Sequence, residues 1–360
     1  MGILSAFLAL CFLVFFHELG HFCAARLFGV KVEVFSIGFG KKLLSKHIGG
    51  TQYALSLIPL GGYVKLKGQD DLNPTSREIA PDSYTTKPPL VKITILSAGV
   101  MFNLLLAFLL YVAIGISGVK ILLPIIGDVQ NNSPAQKAGL LPNDRIVKVD
   151  SSPIASWEQL SAMIAQATPS HSSFAPLTLT IQREGKLESI FITPESSSYR
   201  NVFGDTLYRP MIGIVAKGEI GTEHLGLVAS VQFAAQEVAK ASVLIFESLK
   251  RLIVGLIPLG ELSGVIGIVD VMAEVAPSGF YAFAMLMALI SVNLAIINLL
   301  PIPALDGGQI VFVCYEALMK RQMSDKVLYA LTLLGWAVLL GLLTLGVYND
   351  IVRIATRTMQ

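Results

Sequence analysis

The stretch from Ile93 to Val119 carries no charged side chain, and neither does the stretch from Val327 to Val347. Two further apolar runs cover residues 2–25 and 282–304. Runs of about 20 apolar residues match the thickness of a bilayer's hydrocarbon core. This constrains the fold severely. In hydrocarbon every backbone N–H and C=O must find its partner inside the chain, so a crossing segment of this kind is a helix. The remaining composition agrees. Only 14% of the 360 residues are charged and 53% are hydrophobic, where a soluble domain averages about 25% charged. The expected class is a polytopic α-helical membrane protein with about four transmembrane helices, and membrane lipid is its expected surroundings. A net charge of +2 leaves no clustered basic excess, so nucleic acid is not expected as a partner. Cys11, Cys23 and Cys314 lie in or beside apolar runs and read as small buried hydrophobes.

Orientation follows from the loop cations. Arg26, Lys31, Lys41, Lys42, Lys46, Lys65 and Lys67 lie between the first two runs, and Lys320, Arg321 and Lys326 between the last two. The positive-inside rule places both loops in the cytoplasm, with the N-terminus, residues 119–281 and the C-terminus outside. Arg353 and Arg357 in the tail argue the other way. The opening run has neither a basic start nor a small-residue cleavage site, so it reads as a retained span.

Four regions are expected. Residues 1–118 hold the first pair of spans and, at about 50–66, a β-hairpin. There Tyr53, Leu55 and Leu57 alternate with polar or small residues, Gly61-Gly62 supplies a turn, and Tyr63 to Leu66 returns. Residues 68–89 read as an exposed loop. Residues 119–195 form a small α+β domain. Ser133-Pro134-Ala135 and Ser156 open its helices, and strands lie at 145–149, 177–182 and 187–193. Residues 196–281 are an irregular linker followed by an amphipathic helix at about 225–258, expected on the bilayer surface. Residues 282–360 hold the second pair of spans.

Inside the first run stands Phe16-His17-Glu18-Leu19-Gly20-His21. Residues four apart share one helix face, so His17 and His21 can direct two imidazoles at one ion. Glu18 is placed to handle a water beside it. H-E-x-x-H is the spacing with which zinc peptidases hold their metal. At 1.5 Å per residue, His17 lies about 24 Å from the outer end of the helix, toward the cytoplasmic side. Catalytic zinc takes three protein ligands and keeps one position open. The candidate third ligand is Asp306, in Asn298-Leu299-Leu300-Pro301-Ile302-Pro303-Ala304-Leu305-Asp306-Gly307-Gly308. The two prolines and two glycines should break the helix there. The alternative for Asp306 is a helix-capping carboxylate. His47, His171 and His224 read as solvated loop residues.

Hydrolysis at this depth needs an unwound substrate, whose bared amides require partners. The hairpin, with Gly61, Gly62 and Tyr63, could supply an edge by strand addition. Asn298 and Asn103 are candidate substrate-binding amides, and Asn293 a weaker one. Each could equally be an inter-helix hydrogen-bonding group.

With these residues in hand, the chain resembles the site-2 protease family of intramembrane zinc metalloproteases, in its bacterial regulator-of-sigma-E-protease branch. Asn298 to Gly307 matches the family's N-x-x-P-x-P-x-L-D-G, and Gly38-Phe39-Gly40 with residues 50–66 matches its membrane-associated β region. Ser133 to Leu140 and Asn143 to Ile146 resemble a PDZ domain. The resemblance implies Zn2+ held by His17, His21 and Asp306, with Glu18 as the catalytic acid/base. It implies single-pass membrane substrates, an anti-sigma factor for example, already cut outside by a site-1 protease. It implies the cell inner membrane, with the active site toward the cytoplasm and one PDZ-like domain in the periplasm. Three departures stand out. Gly99-Val100-Met101-Phe102-Asn103 lacks the proline of the family's G-P-x-x-N, and Leu262-Ser263-Gly264-Val265 lacks that of L-S-G-P. Neither stretch is expected to touch the chemistry. Some relatives carry two PDZ domains, and here there is room for one. A non-catalytic PDZ-bearing membrane adaptor and a metal transporter are the competing readings.

Overall fold

A computed structural model describes residues 2–69, 78–167, 169–170, 173–201 and 204–358. The reading of His171 lies outside the described residues. In chain order the elements are α1 (Gly2–Leu27), β1 (Val32–Ile48), β2 (Thr51–Leu66), α2 (Pro89–Ser117), β3 (Val119–Leu122), β4 (Ile126–Val129), α3 (Pro134–Lys137), β5 (Arg145–Val149), β6 (Ser152–Pro153) and α4 (Trp157–Ala165). They continue with β7 (Pro169–Ser170), β8 (Ser173–Phe174), β9 (Leu177–Arg183), β10 (Lys186–Ile192), β11 (Glu195–Arg200), β12 (Thr206–Met211), β13 (Ile214–Ala216) and β14 (Ile220–Glu223). Last come α5 (Leu227–Ile253), α6 (Val265–Val275), α7 (Phe280–Asn298), α8 (Asp306–Met319) and α9 (Asp325–Thr358). Two compact units result, Met1–Ser117 with Leu225–Gln360, and Gly118–His224.

In the first unit α1, α2, α7 and α9 are long and apolar enough to cross a membrane. Their packing follows from where the small residues lie. α1 buries Ala6, Ala9, Gly20, Ala24 and Ala25, and α7 buries Ala284, Ala288, Ser291 and Ala295. The bulky Leu4, Leu8, Phe12, Leu333, Leu340 and Leu343 face outward. Small residues inside and large apolar ones outside suit helices whose solvent is lipid. At Gly20 a Cβ would meet the Ala98 carbonyl group of α2, at 2.7 Å from its carbon, so only glycine permits the α1–α2 approach seen here.

The β region departs from the expected hairpin. The tight turn is Gly49-Gly50, both at positive φ (58° and 81°), and it joins Ile48 to Thr51. Gly61-Gly62 does not fold the two halves of β2 onto each other. Instead both halves pair with the first part of β1: Phe35 faces Tyr53 on one side and Val64 on the other, and Ile37 faces Leu55 and Gly62. The second part of β1 pairs with the first half of β2, as in Ser45 with Ala54. The order across the sheet is therefore 42–48, 51–56, 32–37, 62–66, with residues 62–66 at one edge beside α1. His47 belongs to the opposite edge and not to a loop.

The expected surface helix exists as α5, but it lies along α2 and α7. Ser230, Ala234 and Ala241 are its buried face, and Phe233 meets Tyr111 edge-on, with centroids 6.3 Å apart. Its charges pair among themselves, Glu237 with Lys240 and Glu247 with Arg251. α6 falls within the expected linker. Its Met272 packs with Ala6 and Ala9 of α1. The buried carboxylate of Asp350 accepts from the Gly267 N–H at 2.7 Å in its first turn. The break after α7 occupies Leu299 to Leu305, whereas Gly307 and Gly308 sit inside α8. Within the break the N–H groups of Leu299, Leu300, Ile302 and Leu305 donate to Ile296, Ile297, Leu300 and Ile302. Pro301 and Pro303 have no N–H to place.

The second unit is larger than the expected 119–195. Its sheet runs β10-β9-β5-β6, and β13 and β14 return to pair with β4 and β3. Residues 196–224 therefore close the unit instead of leading out of it, and Ile212 joins the core of Ile126, Ile146, Leu179 and Ile181. Ser133 and Ser156 cap α3 and α4 by accepting from Gln136 N–H and Gln159 N–H. Asp144 is buried, and Arg183 donates to both of its oxygens at 2.7 and 2.8 Å. That ion pair raises the Arg183 pKa further, chiefly through the hydrogen bond to Asp144.

Candidate metal centre

His17 and His21 stand four positions apart on α1, which presents both rings to α2. What makes room for them is Gly99. A Cβ there would collide with His21 Nε2 and lie 2.7 Å from Cε1 of both His17 and His21. The His21 ring is oriented from behind, because its Nδ1–H donates to the Ile95 carbonyl at 2.9 Å. In the neutral ring Nε2 is then the bare nitrogen. His17 Nδ1 lies 3.2 Å from the side-chain amide of Asn103. Asp306 arrives from the other end of the sequence as the first residue of α8. The helix can begin there because its next two residues lack side chains. A Cβ on Gly307 would strike the Leu299 and Leu300 carbonyls, and one on Gly308 the Ile302 carbonyl.

The three groups converge. His17 Nε2 lies 3.3 Å from Asp306 Oδ2, His21 Nε2 lies 3.4 Å from the same oxygen, and the two nitrogens are 3.2 Å apart. Their side chains are 11–16% exposed. Asp306 Oδ2 is buried and receives no hydrogen bond. Two imidazole nitrogens and a carboxylate oxygen thus converge on one point, a donor set that suits a divalent cation. Its size can be checked. Zinc bonds N and O ligands at about 2.0–2.1 Å in a tetrahedron, whose edges are then about 3.3–3.4 Å. The three observed edges lie within about 0.1 Å of that value, so the residues present fit zinc with one vertex left over.

The other site candidates are placed as follows. Glu18 is half-buried, and Gly62 of the sheet edge lies against it, since a Cβ on Gly62 would be 3.2 Å from Glu18 Cγ and 2.8 Å from the Ser36 carbonyl. Tyr63 stacks on Phe39, centroids 6.2 Å apart and planes at 9°, and the Phe39 ring also fills the space beside Gly61. Asn298 is half-buried at the end of α7. Asn103 is fully buried behind His17, which removes it from any surface a substrate could reach. The expectation that the Gly99–Asn103 stretch stands apart from the chemistry is likewise overturned, since both of its end residues touch the histidines.

The family model described as Peptidase family M50 matches residues 5–342. The chain belongs to that family, the site-2 proteases. Curated relatives agree over their whole length. A Campylobacter jejuni protein named "Putative zinc metalloprotease Cj1068" is 44% identical over 352 residues, 98% of this chain and 93% of that one. A Helicobacter pylori protein named "Putative zinc metalloprotease" is 41% identical over 355 residues, covering 97% and 99%. The "Metalloprotease MmpA" of Caulobacter vibrioides is 32% identical over 384 residues, covering 98% and 95%. The chain is thus a membrane zinc metalloprotease of the M50 family. Sequence reasoning missed the second layer of its site, namely the Ile95 carbonyl, Gly99 and the contact of Asn103 with His17. One signal was available: positions 95, 99 and 103 recur at the same interval as His17 and His21.

Proposed function

We propose that this M50 protease cleaves peptide bonds within or beside the transmembrane segment of single-pass membrane proteins, as the second cut after another protease has trimmed the substrate outside. The observation that carries the reading is the triangle of His17, His21 and Asp306, whose two histidines stand on a helix long and apolar enough to cross a bilayer. His17, His21 and Asp306 would hold Zn2+. Bound zinc would supply Lewis acidity toward a scissile carbonyl and toward water. Glu18 takes a proton from the attacking water and returns it to the leaving nitrogen as the C–N bond breaks. The edge at 62–66 borders Glu18 and offers an extended substrate its backbone groups by strand addition. Asn298, Gly61 and Tyr63 are assigned to the same substrate path.

The cationic loops 26–67 and 320–326 support a cytoplasmic position for the metal side of the membrane and a multi-pass placement in the cell inner membrane. The Gly118–His224 unit is assigned as the PDZ-like, extracytoplasmic domain. Its helix α4 lies beside the strand β12, with Trp157, Leu160, Ile164 and Ile212 lining a groove between them. An anti-sigma factor or another single-span regulator is the substrate class proposed.

The test is Glu18→Gln in the full-length protein. The variant should fold and bind zinc as the wild type does while cleavage of a single-span substrate in detergent or liposomes is lost. Cleavage at the wild-type rate would remove Glu18 from the mechanism.

A further inference from the structure

We propose that Asn103 is a positioning residue: its side-chain oxygen accepts the Nδ1 proton of His17 and so holds that ring with Nε2 bare toward the metal. The inference rests on the zinc reading above. Ile95, Gly99 and Asn103 lie on one face of α2 at intervals of four. Each serves the histidines of α1 differently. The Ile95 carbonyl takes the His21 Nδ1–H, Gly99 yields the space for both rings, and the Asn103 amide, placed with Nδ2 toward the ring, stands 3.2 Å from His17 Nδ1. The Asn103 backbone is tied to α7, because its main-chain carbonyl accepts from Ser291 Oγ at 2.7 Å.

A neutral imidazole has one donor nitrogen and one acceptor nitrogen. For both Nε2 atoms to offer lone pairs beside Asp306 Oδ2, each ring must carry its proton on Nδ1. His21 meets a carbonyl there. His17 meets an amide, which can present either a donating or an accepting end, and the two ends are alike in shape. With the nitrogen end toward His17, the Asn103 oxygen is buried without a partner. The ring proton is then driven onto Nε2, into the middle of the ligand triangle. With the oxygen end toward His17, that oxygen receives the Nδ1 proton and Nε2 is cleared for the ion. The side chain then does for His17 what a backbone carbonyl does for His21.

The experiment measures zinc affinity by chelator competition on full-length protein in detergent, together with the melting temperature of the zinc-free form. It compares the wild type with Asn103→Leu, Asn103→Asp and His17→Ala. Leucine keeps the volume and removes the acceptor, so its zinc affinity should fall by about 10–100-fold, the usual cost of losing a hydrogen bond behind a ligating histidine. Aspartate keeps an acceptor and cannot donate when ionised, so it should retain wild-type affinity or exceed it. Zinc-free melting should stay near wild type in both. Wild-type affinity in Asn103→Leu overturns the proposal, as does equal loss in Asn103→Asp. If Asn103→Leu does not fold, Asn103→Asp decides, and failure of both to fold makes the residue structural and also overturns it. A wild-type protein without zinc, or a His17→Ala variant that binds it normally, defeats the zinc reading instead.

Discussion

Gly99→Ala adds one carbon to α2 at the point where it meets both histidines. The new Cβ would collide with His21 Nε2 and sit 2.7 Å from a carbon of each ring. Ordinary carbon–carbon contact is about 3.5 Å, so the rings must retreat by about 0.8 Å. Retreat of α1 as a whole would instead open its close contact between Gly20 and the Ala98 carbonyl group one residue along. Two effects on stability oppose each other. Alanine is favoured over glycine in a helix by about 1 kcal/mol, and overpacking costs about 1–3 kcal/mol. The net change in fold stability is therefore small, about 0–2 kcal/mol. The site is far less tolerant, since metal–ligand distances are held within about 0.2 Å and a misplacement of about 1 Å can cost about 10²-fold in rate. Expected, then, is a protein that melts near the wild-type temperature while zinc affinity and peptide cleavage fall by about 10²-fold or more. Gly341→Ala on α9, where a Cβ meets nothing within 4 Å, is the matched control and should leave both unchanged. Normal zinc affinity in Gly99→Ala would refute the claim that this glycine sets the room for the ligands.

Gly62→Ala should separate Glu18 from the metal. The added carbon presses on Glu18 Cγ at 3.2 Å and on the Ser36 carbonyl at 2.8 Å, so kcat should fall while zinc content stays full, and joint loss of both would refute the distinction. Arg183→Ala strips the bidentate partner from buried Asp144. It should cost about 2–4 kcal/mol locally, below the upper range for fully buried pairs because Arg183 is part-exposed, seen as faster hydrogen exchange in β5 and β9; unchanged exchange would sink it. Lys67 holds the Asp82 carboxyl below its usual pKa, chiefly through their hydrogen bond. A carboxylate whose folded value is depressed stabilises above the unfolded value, near about 4, and that contribution disappears as pH falls through the folded value. Amide protection of Lys31 and Tyr84, whose N–H groups bond to Asp82 and Lys67 carbonyls, should therefore fall below about pH 4, and Asp82→Asn should flatten that dependence.

The spans and the pairing of His17 with His21 were legible because their signals are local. Hydropathy marks a bilayer-length helix residue by residue, and the spacing of His17 and His21 is a property of one helix. Asp306 could be picked out because a carboxylate between Pro303 and Gly307 in an apolar stretch is costly without a purpose. What supports the ligands was not legible. The acceptor for His21 is a backbone carbonyl, which every residue possesses, so no side chain announces it. The role of Gly99 depends on how closely two helices approach. The sheet was misread because Tyr53 and Tyr63 alternate as a hairpin would, while the pairing of both with the 35–36 stretch is set by contacts across the chain. The second unit was cut short because β11 to β14 carry serines, charges and glycines in place of an apolar alternation. Only the return of β13 and β14 to β4 and β3 reveals the segment as part of the same unit.

The bend that carries Asp306 has a consequence of its own. Irregular chain inside a lipid layer ordinarily strands amide hydrogens with nothing to receive them. Here the two imino acids contribute none, and four of the neighbouring amides are spoken for by carbonyls close at hand. Fewer stranded amides at this corner lower the cost of setting the Asp306 carboxylate at membrane depth.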